Sequence, residues 1–421
     1  MNERVVAANP PPARQSEIED FLLLQRVAQR ITSILDLDVL LEQIVDDVAQ
    51  TFGCSRSGIL FVDEDAKELE IVAVRGWTSN HHIKGDRFKF NEGMIGHVAS
   101  TAQTTYAPDV TKNPYYMVSE ESTRSEVDIP IMSRGKLIGV FSAQDAQYNA
   151  FAPHRLQILE ALTGHIGTAI ENARLFGREQ KENARMEKEL AEARSIQARL
   201  FPEDAPELPS FRITGLSEPC LAVGGDWYDY IPLASGRVGV VLGDVAGKGT
   251  GAALLMASTR SILRMYAERG GSPGAVLSDV NRVLVADLPS AKFVTMVYVV
   301  LDPASRKLTF ASAGHVPPIL VDVSGARAVK VTPELPLGIR EGSYADHELE
   351  IKSGSRLFLY SDGVTEARDS TSEEYGEARL RRYAASPAAS AQGLRDDILR
   401  FTKDYPVADD ITIVVLEAIG Q

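Results

Sequence analysis

The sequence has few cysteines, no long apolar run and no excess of basic residues. Two cysteines in 421 residues, Cys54 and Cys220, are too few for a disulfide framework and indicate a reducing compartment. No apolar stretch approaches the roughly 18 residues of a membrane helix, and the N-terminus has no hydrophobic signal segment. The net charge of -14 disfavours nucleic acid, because phosphates would be repelled. We therefore expect a soluble cytoplasmic protein that binds neither nucleic acid nor membrane.

Two common phosphate-binding motifs are also missing. The loop GDVAGKG at 243–249 resembles a P-loop, but Leu242 stands where that motif needs glycine and Gly249 where it needs serine or threonine. A cysteine phosphatase loop needs an arginine six positions after a cysteine, and those positions hold Leu60 and Asp226. The loop at 243–249 must therefore be explained by its aspartate, Asp244.

The chain length predicts two domains, because a single core rarely serves more than about 250–300 residues. We assign 1–19 to an N-terminal tail, 20–175 to the first domain, 176–204 to a helical linker and 205–421 to the second domain. A capping-box spacing predicts that a helix begins at Ser16.

The first domain is predicted to be an antiparallel sheet flanked by helices. A helical pattern at 38–52 stops at Gly53. Two hairpins follow: GILFVD pairs with LEIVAVRG across a polar turn, and the strands within 127–145 are joined at the turn 133–135.

The linker is predicted to be helical because no proline interrupts the chain between Pro153 and Pro202. Apolar residues lie on one face up to Phe176, and a helix of this span would be about 70 Å long. Beyond residue 178 the apolar positions thin to a near-heptad seam. This part is either a single solvated helix or one strand of a parallel dimer stalk.

The second domain alternates several strands with fewer helices. Strands are predicted at 237–244, 292–302, 307–314, 317–323, 356–362 and 411–418, and helices at 252–268, 273–286 and 391–403. This order is not a βαβ repeat and favours packed antiparallel sheets covered by helices. The fold class is therefore α+β.

Four acidic motifs in this domain each lie at a strand boundary. They are GGDWYD at 224–229, GDVAGKG at 243–249, YSDGV at 360–364 and ADDIT at 408–412. A single Asp beside Gly is more often a turn residue than a ligand. Four in one domain favour carboxylates gathered around a cation, and all-oxygen ligands suit magnesium or manganese.

With ASAGHVPP and LPLGI between them, these motifs resemble the metal-dependent protein phosphatase (PPM) family, in its bacterial SpoIIE and RsbU branch. The resemblance implies a β-sandwich with helices on both outer faces and two Mn²⁺ or Mg²⁺ ions at one end. It implies that Asp244 bridges the ions and that the Val245 carbonyl binds one. The other metal ligands it implies are Asp226, Asp362 and Asp409 with its neighbour Asp410.

The same resemblance implies the chemistry and the substrate. A metal-activated water would hydrolyse phosphoserine or phosphothreonine on a partner protein, by family analogy a phosphorylated STAS-type antagonist of an anti-sigma factor. Relatives often carry histidine where this chain has Lys248, so Lys248 is assigned to phosphate contact. His315 is assigned a structural role.

Residues 20–175 resemble a GAF domain, on the evidence of EGMIGHVASTAQTTYAPDV and IPIMSRGKLIGVFSAQD. GAF domains commonly bind a small molecule or dimerise, so a small-molecule ligand of unknown identity and a homodimer are both open. We expect no metal or haem at His81, His82 or His97, because histidines in polar loops are usually solvated.

The leading interpretation is a serine/threonine phosphatase regulated by its GAF domain. One alternative is a catalytically inactive sensor scaffold. Another is a diguanylate cyclase, whose GG[DE]EF motif shares three letters with GGDWYD, although Trp227 and Tyr228 replace its Glu-Phe.

Overall fold

The structure is a computed structural model that describes residues 25–78, 82–289, 291–403 and 405–420. It divides into two compact units, Met1–Arg185 and Met186–Gln421. The predicted helix start at Ser16 lies outside the described residues, whose first element is a helical segment at 25–32, here called α1. In the described ranges, no helix has the length and apolar character needed to cross a membrane.

The first unit contains one six-stranded sheet and its flanking helices. Its elements are α2 (Leu37–Phe52), β1 (Arg56–Asp63), β2 (Glu68–Arg75), β3 (Arg87–Lys89), α3 (Gly93–Thr101), β4 (Thr105–Ala107), β5 (Ser125–Ser133) and β6 (Lys136–Asp145). The strand order is β3-β2-β1-β6-β5-β4, with antiparallel neighbours throughout. Both predicted hairpins are confirmed.

Local sequence explains the ends of these elements. The Asp36 carboxylate accepts a hydrogen bond from the Val39 amide and caps α2, which stops where Gly53 adopts φ 64°. The turn between β5 and β6 places Arg134 and Gly135 at positive φ. One face of the sheet packs on α2, and Ile129 belongs to the core between them. The other face is covered by α3.

The predicted long helix is confirmed as α4 (Pro153–Ala198). Its first half buries the predicted face, including Leu159, Ile166 and Ile170. In its second half the near-heptad residues Met186 and Leu190 are exposed.

The second unit contains two five-stranded sheets. Its elements are β7 (Phe211–Glu218), β8 (Trp227–Pro232), β9 (Val238–Val245), α5 (Thr250–Glu268), α6 (Pro273–Asp287), β10 (Val294–Asp302), β11 (Lys307–Ala313), β12 (Ile319–Asp322), β13 (Gly325–Ala328), β14 (His347–Glu350), β15 (Arg356–Tyr360), α7 (Asp362–Glu366), α8 (Gly376–Ala384), α9 (Ala391–Thr402) and β16 (Ile411–Ala418). The sheet orders are β14-β11-β10-β9-β8 and β13-β12-β15-β16-β7.

Period-two alternation along these strands builds the layers. Val240 and Leu242 of β9 point into a core shared with Val414 of β16, so the two sheets pack face to face. Val241 points the other way, into a core formed with α5 and α6. Ile413 packs against α8 and α9 on the opposite outer face. The predicted α+β class, with a β-sandwich covered by helices, is confirmed.

Candidate metal centre

All four acidic motifs lie at the same end of the sandwich. Asp226 immediately precedes β8 and Asp244 is the penultimate residue of β9, its neighbour in one sheet. Asp362 follows β15 at the start of α7, and Asp409 precedes β16, which pairs with β15 in the other sheet. Antiparallel pairing puts the start of one strand beside the end of the next. The sheets therefore bring the motifs together.

Asp226 and Asp244 form the buried part of the site. Asp226 is 4% exposed, and its Oδ2 has no hydrogen-bond partner. Burial and the nearby charge of Asp244 raise the pKa of Asp226 well above its usual value. Burial and the charge of Asp362 raise the pKa of Asp244 to about 7. These carboxylates disfavour one another's charge unless a cation is present.

Asp362 and Asp409 form the more accessible part. Burial and the charge of Asp409 raise the pKa of Asp362. Asp409 is about two-fifths exposed, and its Oδ2 lies 2.9 Å from the Lys248 Nζ. Lys248 also donates a hydrogen bond to the Ala408 carbonyl. Burial opposes it, but the ion pair with Asp409 raises the pKa of Lys248, so this side chain stays a cation.

Asp410 has a different environment from its neighbour Asp409. Its Oδ1 accepts a hydrogen bond from the Cys220 amide at 2.8 Å. Its Oδ2 accepts from the Gly225 amide at 2.8 Å and from the Asp226 amide at 3.3 Å. Both oxygens are committed to the backbone, so Asp410 holds the loop that carries Asp226 and is less suited to bind a cation.

The backbone conformation of the loop at 243–249 explains its glycines. Gly247 and Gly249 adopt φ 100° and 73°, in the left-handed region that favours glycine. Lys292 donates a hydrogen bond to the Ala246 carbonyl at 2.9 Å. A Cβ on Gly225 would lie 2.9 Å from the Val245 carbonyl oxygen, so this predicted ligand sits close to the Asp226 loop.

Several residues at this end were missed by sequence reasoning. Lys292 is one, and Gln197 in the last turn of α4 is another. The Gln197 side chain is 8% exposed, donates to the Gly224 carbonyl at 2.7 Å and accepts from the Gly224 amide at 3.1 Å. These contacts join residues far apart in sequence, and no local motif predicts them.

Cys220 also lies here. Its sulfur and one oxygen each of Asp409 and Asp410 lie within 4.8 Å of one another, which in the described ranges is the one triple of metal-capable groups at that spacing. The predicted ligands Asp226, Asp244 and Asp362 form no such triple in the same ranges. Burial and the Asp410 charge raise the pKa of Cys220 to about 11, which keeps it a thiol. A protonated thiol beside a fully bonded carboxylate is a poor cation site.

His315 bridges the two sheets beneath the acids. It is 8% exposed, and its ring nitrogens contact the Thr295 hydroxyl at 2.8 Å and the Tyr360 carbonyl at 3.1 Å. Burial lowers the pKa of His315 to about 4, so the ring is neutral at pH 7. These contacts agree with the predicted structural role.

The other histidines discussed above lie in the first unit. His82 stacks on Phe88 and His97 on Tyr115. Within the described residues, neither belongs to a cluster of metal-ligating side chains. His81 lies outside the described residues.

The donor set fits a hard divalent cation. Its members are carboxylates and one backbone carbonyl, which are the ligands of magnesium and manganese. The buried Asp226 Oδ2 without a partner is the specific observation, since a buried carboxylate oxygen normally finds a donor or a cation. Fold and site together are those that the resemblance to metal-dependent phosphatases implied.

Comparison with known proteins agrees with this assignment. Residues 234–419 match the family model of Stage II sporulation protein E (SpoIIE), and residues 36–170 match that of the GAF domain. The chain therefore joins a GAF domain to a SpoIIE-type phosphatase domain of the PPM family, as the motifs predicted. Trp227 and Tyr228, buried in two different cores, belong to this fold and not to a cyclase motif.

Three relatives show how far the similarity extends. Protein IcfG of Synechocystis sp. is 30% identical over 220 residues, covering 46% of this chain and 35% of that protein. Phosphoserine phosphatase RsbU of Bacillus subtilis is 26% identical over 265 residues, covering 62% of this chain and 77% of RsbU. The structure of the SiaA-PP2C domain of Pseudomonas aeruginosa, 22% identical, covers 56% of this chain and 98% of that domain with a TM-score of 0.51, a likeness of fold.

Proposed function

We propose that the protein is a metal-dependent serine/threonine protein phosphatase regulated by its GAF domain. The convergence of Asp226, Asp244, Asp362 and Asp409 at one end of the sandwich carries this proposal. The most specific observation in its support is that the buried Oδ2 of Asp226 has no hydrogen-bond partner. A binding scaffold gains nothing from gathering buried acids, because each costs desolvation free energy.

The predicted ligand set is retained with one change of role. Asp226, Asp244, Asp362, Asp409 and the Val245 carbonyl would hold two Mn²⁺ or Mg²⁺ ions. Asp410, placed in that set from the sequence, is proposed to position the Asp226 loop instead. Bound ions would lower the pKa of a water and neutralise phosphate charge.

Lys248 is proposed to contact the phosphate. Its Nζ lies beside Asp409 and stays protonated, so it can attract an anion from the rim of the site. Its raised pKa makes it a poor proton donor to the leaving group. Lys248→Ala should therefore raise KM severalfold and change kcat little.

The substrate is proposed to be phosphoserine or phosphothreonine on a partner protein. RsbU is by name a phosphoserine phosphatase, and its match covers most of that protein. The STAS-type antagonist of an anti-sigma factor remains the proposed partner class. Location in the cytoplasm is proposed on the two free cysteines.

The decisive experiment is phosphate release from a phosphoserine peptide by the full-length protein. We expect turnover with manganese, loss of turnover in EDTA, and recovery when manganese is returned in excess. A folded, manganese-saturated protein that releases no phosphate from phosphoserine or phosphothreonine peptides would favour the scaffold. Conversion of GTP to a cyclic dinucleotide would favour the cyclase.

Regulation is proposed to pass through α4, which is continuous from Pro153 to Ala198 and ends beside the Asp226 loop at Gln197. Leu190→Pro would break this helix, at a cost of about 3 kcal/mol or more. We expect its turnover to differ severalfold from that of Leu190→Ala, which keeps the helix. Equal turnover of both variants and the wild type would contradict coupling through α4.

A further inference from the structure

The first unit contains a partly open cavity of about 110 Å³ between the sheet and α3. Its walls are largely apolar and include Leu60, Ile71, Trp77, Met94 and Met117. A cavity of about 150 Å³ is known to hold benzene, so this one suits a ligand of roughly six heavy atoms. A nucleotide is far too large.

One wall of this cavity is polar and acidic. Glu126 on β5 lies opposite Gln144 on β6, and Asp128 lies opposite Ser142. Residues two apart on a strand share a face, so the two acids lie on the same face of β5. Glu126 lines the cavity, and Asp128 does not, although Ser142 opposite it does. Both acids are buried, at 5% and 0% exposure.

These acids lack a cationic partner in the described part of the chain. Neither oxygen of Asp128 meets a donor in hydrogen-bond geometry, although Ser142 and Glu126 lie close enough to affect its pKa. Arg56, on β1 opposite Gln144, turns its guanidinium toward the hydroxyls of Ser122 and Thr123. Two buried carboxyls without a cation are costly to ionise, and one of them holds a proton.

The remaining titratable groups around the cavity do not supply a cation for the two acids. Tyr116 lies near Glu126, and its pKa is raised by burial and by that charge. His82 and Glu92 line the cavity from other elements. Burial, together with the charge of Asp128, raises the pKa of Glu126, and burial raises the pKa of Asp128 to about 7.

We propose that this cavity binds a small organic cation, an ammonium with a short apolar group. Its N–H donors would contact Glu126, its positive charge would offset the charge of the neighbouring Asp128, and its apolar part would lie against Trp77 and Met94. A phosphate or carboxylate ligand would be repelled by the two acids. The inference concerns binding to the first unit and does not depend on phosphatase activity.

The test uses the full-length protein and three probes of similar size. Isopentylamine is the cation, 3-methyl-1-butanol its neutral counterpart and 3-methylbutanoate the anion. We expect saturable binding of isopentylamine by calorimetry, at least tenfold tighter than binding of the other two. The proposal would be overturned if the alcohol bound as tightly as isopentylamine or if the anion bound more tightly. It would also be overturned if neither isopentylamine nor n-butylamine, a smaller amine, bound at all.

The pH dependence gives a second, independent readout. The amine stays protonated, while the acid pair must lose the proton that one of its members holds in order to receive the amine. Affinity should therefore rise between about pH 6 and pH 8, by at most about tenfold per pH unit for one released proton. Affinity that is flat or falls over this range would contradict the assignment.

Near-isosteric variants locate the site. Asp128→Asn and Glu126→Gln should each weaken isopentylamine binding at least tenfold. Glu70→Gln, an exposed acid paired with Arg87 and outside the cavity lining, should bind like the wild type. Unchanged binding by both folded cavity variants would overturn the proposal. If either variant does not fold, the probe series and pH profile of the wild type still decide.

Discussion

Asp244→Asn is expected to reduce manganese-dependent turnover of a phosphoserine peptide by about a thousandfold, which corresponds to about 4 kcal/mol of transition-state stabilisation. The substitution keeps the shape of the side chain but removes the charge at the end of β9. Asp244 interacts with Asp226 and Asp362, so its loss weakens the centre of the acidic cluster. Phosphate release at saturating manganese measures the effect.

The variant should fold at least as well as the wild type in EDTA, because it relieves repulsion among buried acids. Asp302→Asn is the matched control, since Asp302 ends β10 at the far end from Thr295, which pairs with Asp244. The control should keep full turnover. Turnover of Asp244→Asn within tenfold of the wild type would remove Asp244 from the metal centre.

Asp410→Ala is expected to destabilise the second unit strongly. Three backbone amides, those of Cys220, Gly225 and Asp226, would lose their acceptor. Leaving a buried donor unsatisfied costs about 1–3 kcal/mol each, so the unfolding free energy should fall by about 3–9 kcal/mol. At about 2–4 °C per kcal/mol for a unit of this size, the melting temperature should fall by about 6 °C or more. Differential scanning calorimetry of the full chain checks this.

Asp409→Ala is the matched neighbour and should behave in the opposite way. Asp409 is partly exposed and pairs with Lys248, an interaction that contributes about 0–1 kcal/mol. We expect a nearly unchanged melting temperature and loss of turnover. If both variants melt alike, or if Asp410→Ala is stable and fully active, the division of roles between the two residues is wrong.

Much of the fold could be predicted because its signals are local. Strands such as β10 and β16 are runs of Val, Ile and Leu, and α4 follows from the absence of proline. The strand β8 was missed because GGDWYD was interpreted only as a motif. The helix α8 was missed because RLRRYA is too polar to show an apolar face, although Leu380 and Ala384 are buried.

The site could be predicted only in part. Strand boundaries drew attention to the four acidic motifs, and the family resemblance implied which of their aspartates, Asp226, Asp244, Asp362 and Asp409, would bind metal. The role of Asp410 depends on amides about 190 positions earlier in the chain, and no local spacing encodes such contacts.

The acid pair in the first unit did leave a local signal. In SEVDIPI, acids at 126 and 128 alternate with Val127 and Ile129, so the strand has one apolar and one acidic face. Acids on a strand face are usually solvated, and only the surrounding sheet shows that these two are buried.

The two hydrogen bonds between Gln197 and Gly224 couple the loop before Asp226 to the rotation of α4 about its own axis. Successive residues of an α-helix are turned by about 100°, so a one-residue change of register that rotates α4 by this angle would turn the Gln197 amide away from the loop. A change of register by one heptad would restore its direction but displace it by about 10 Å. The loop before Asp226 can therefore make both hydrogen bonds at only one position and one rotation of α4.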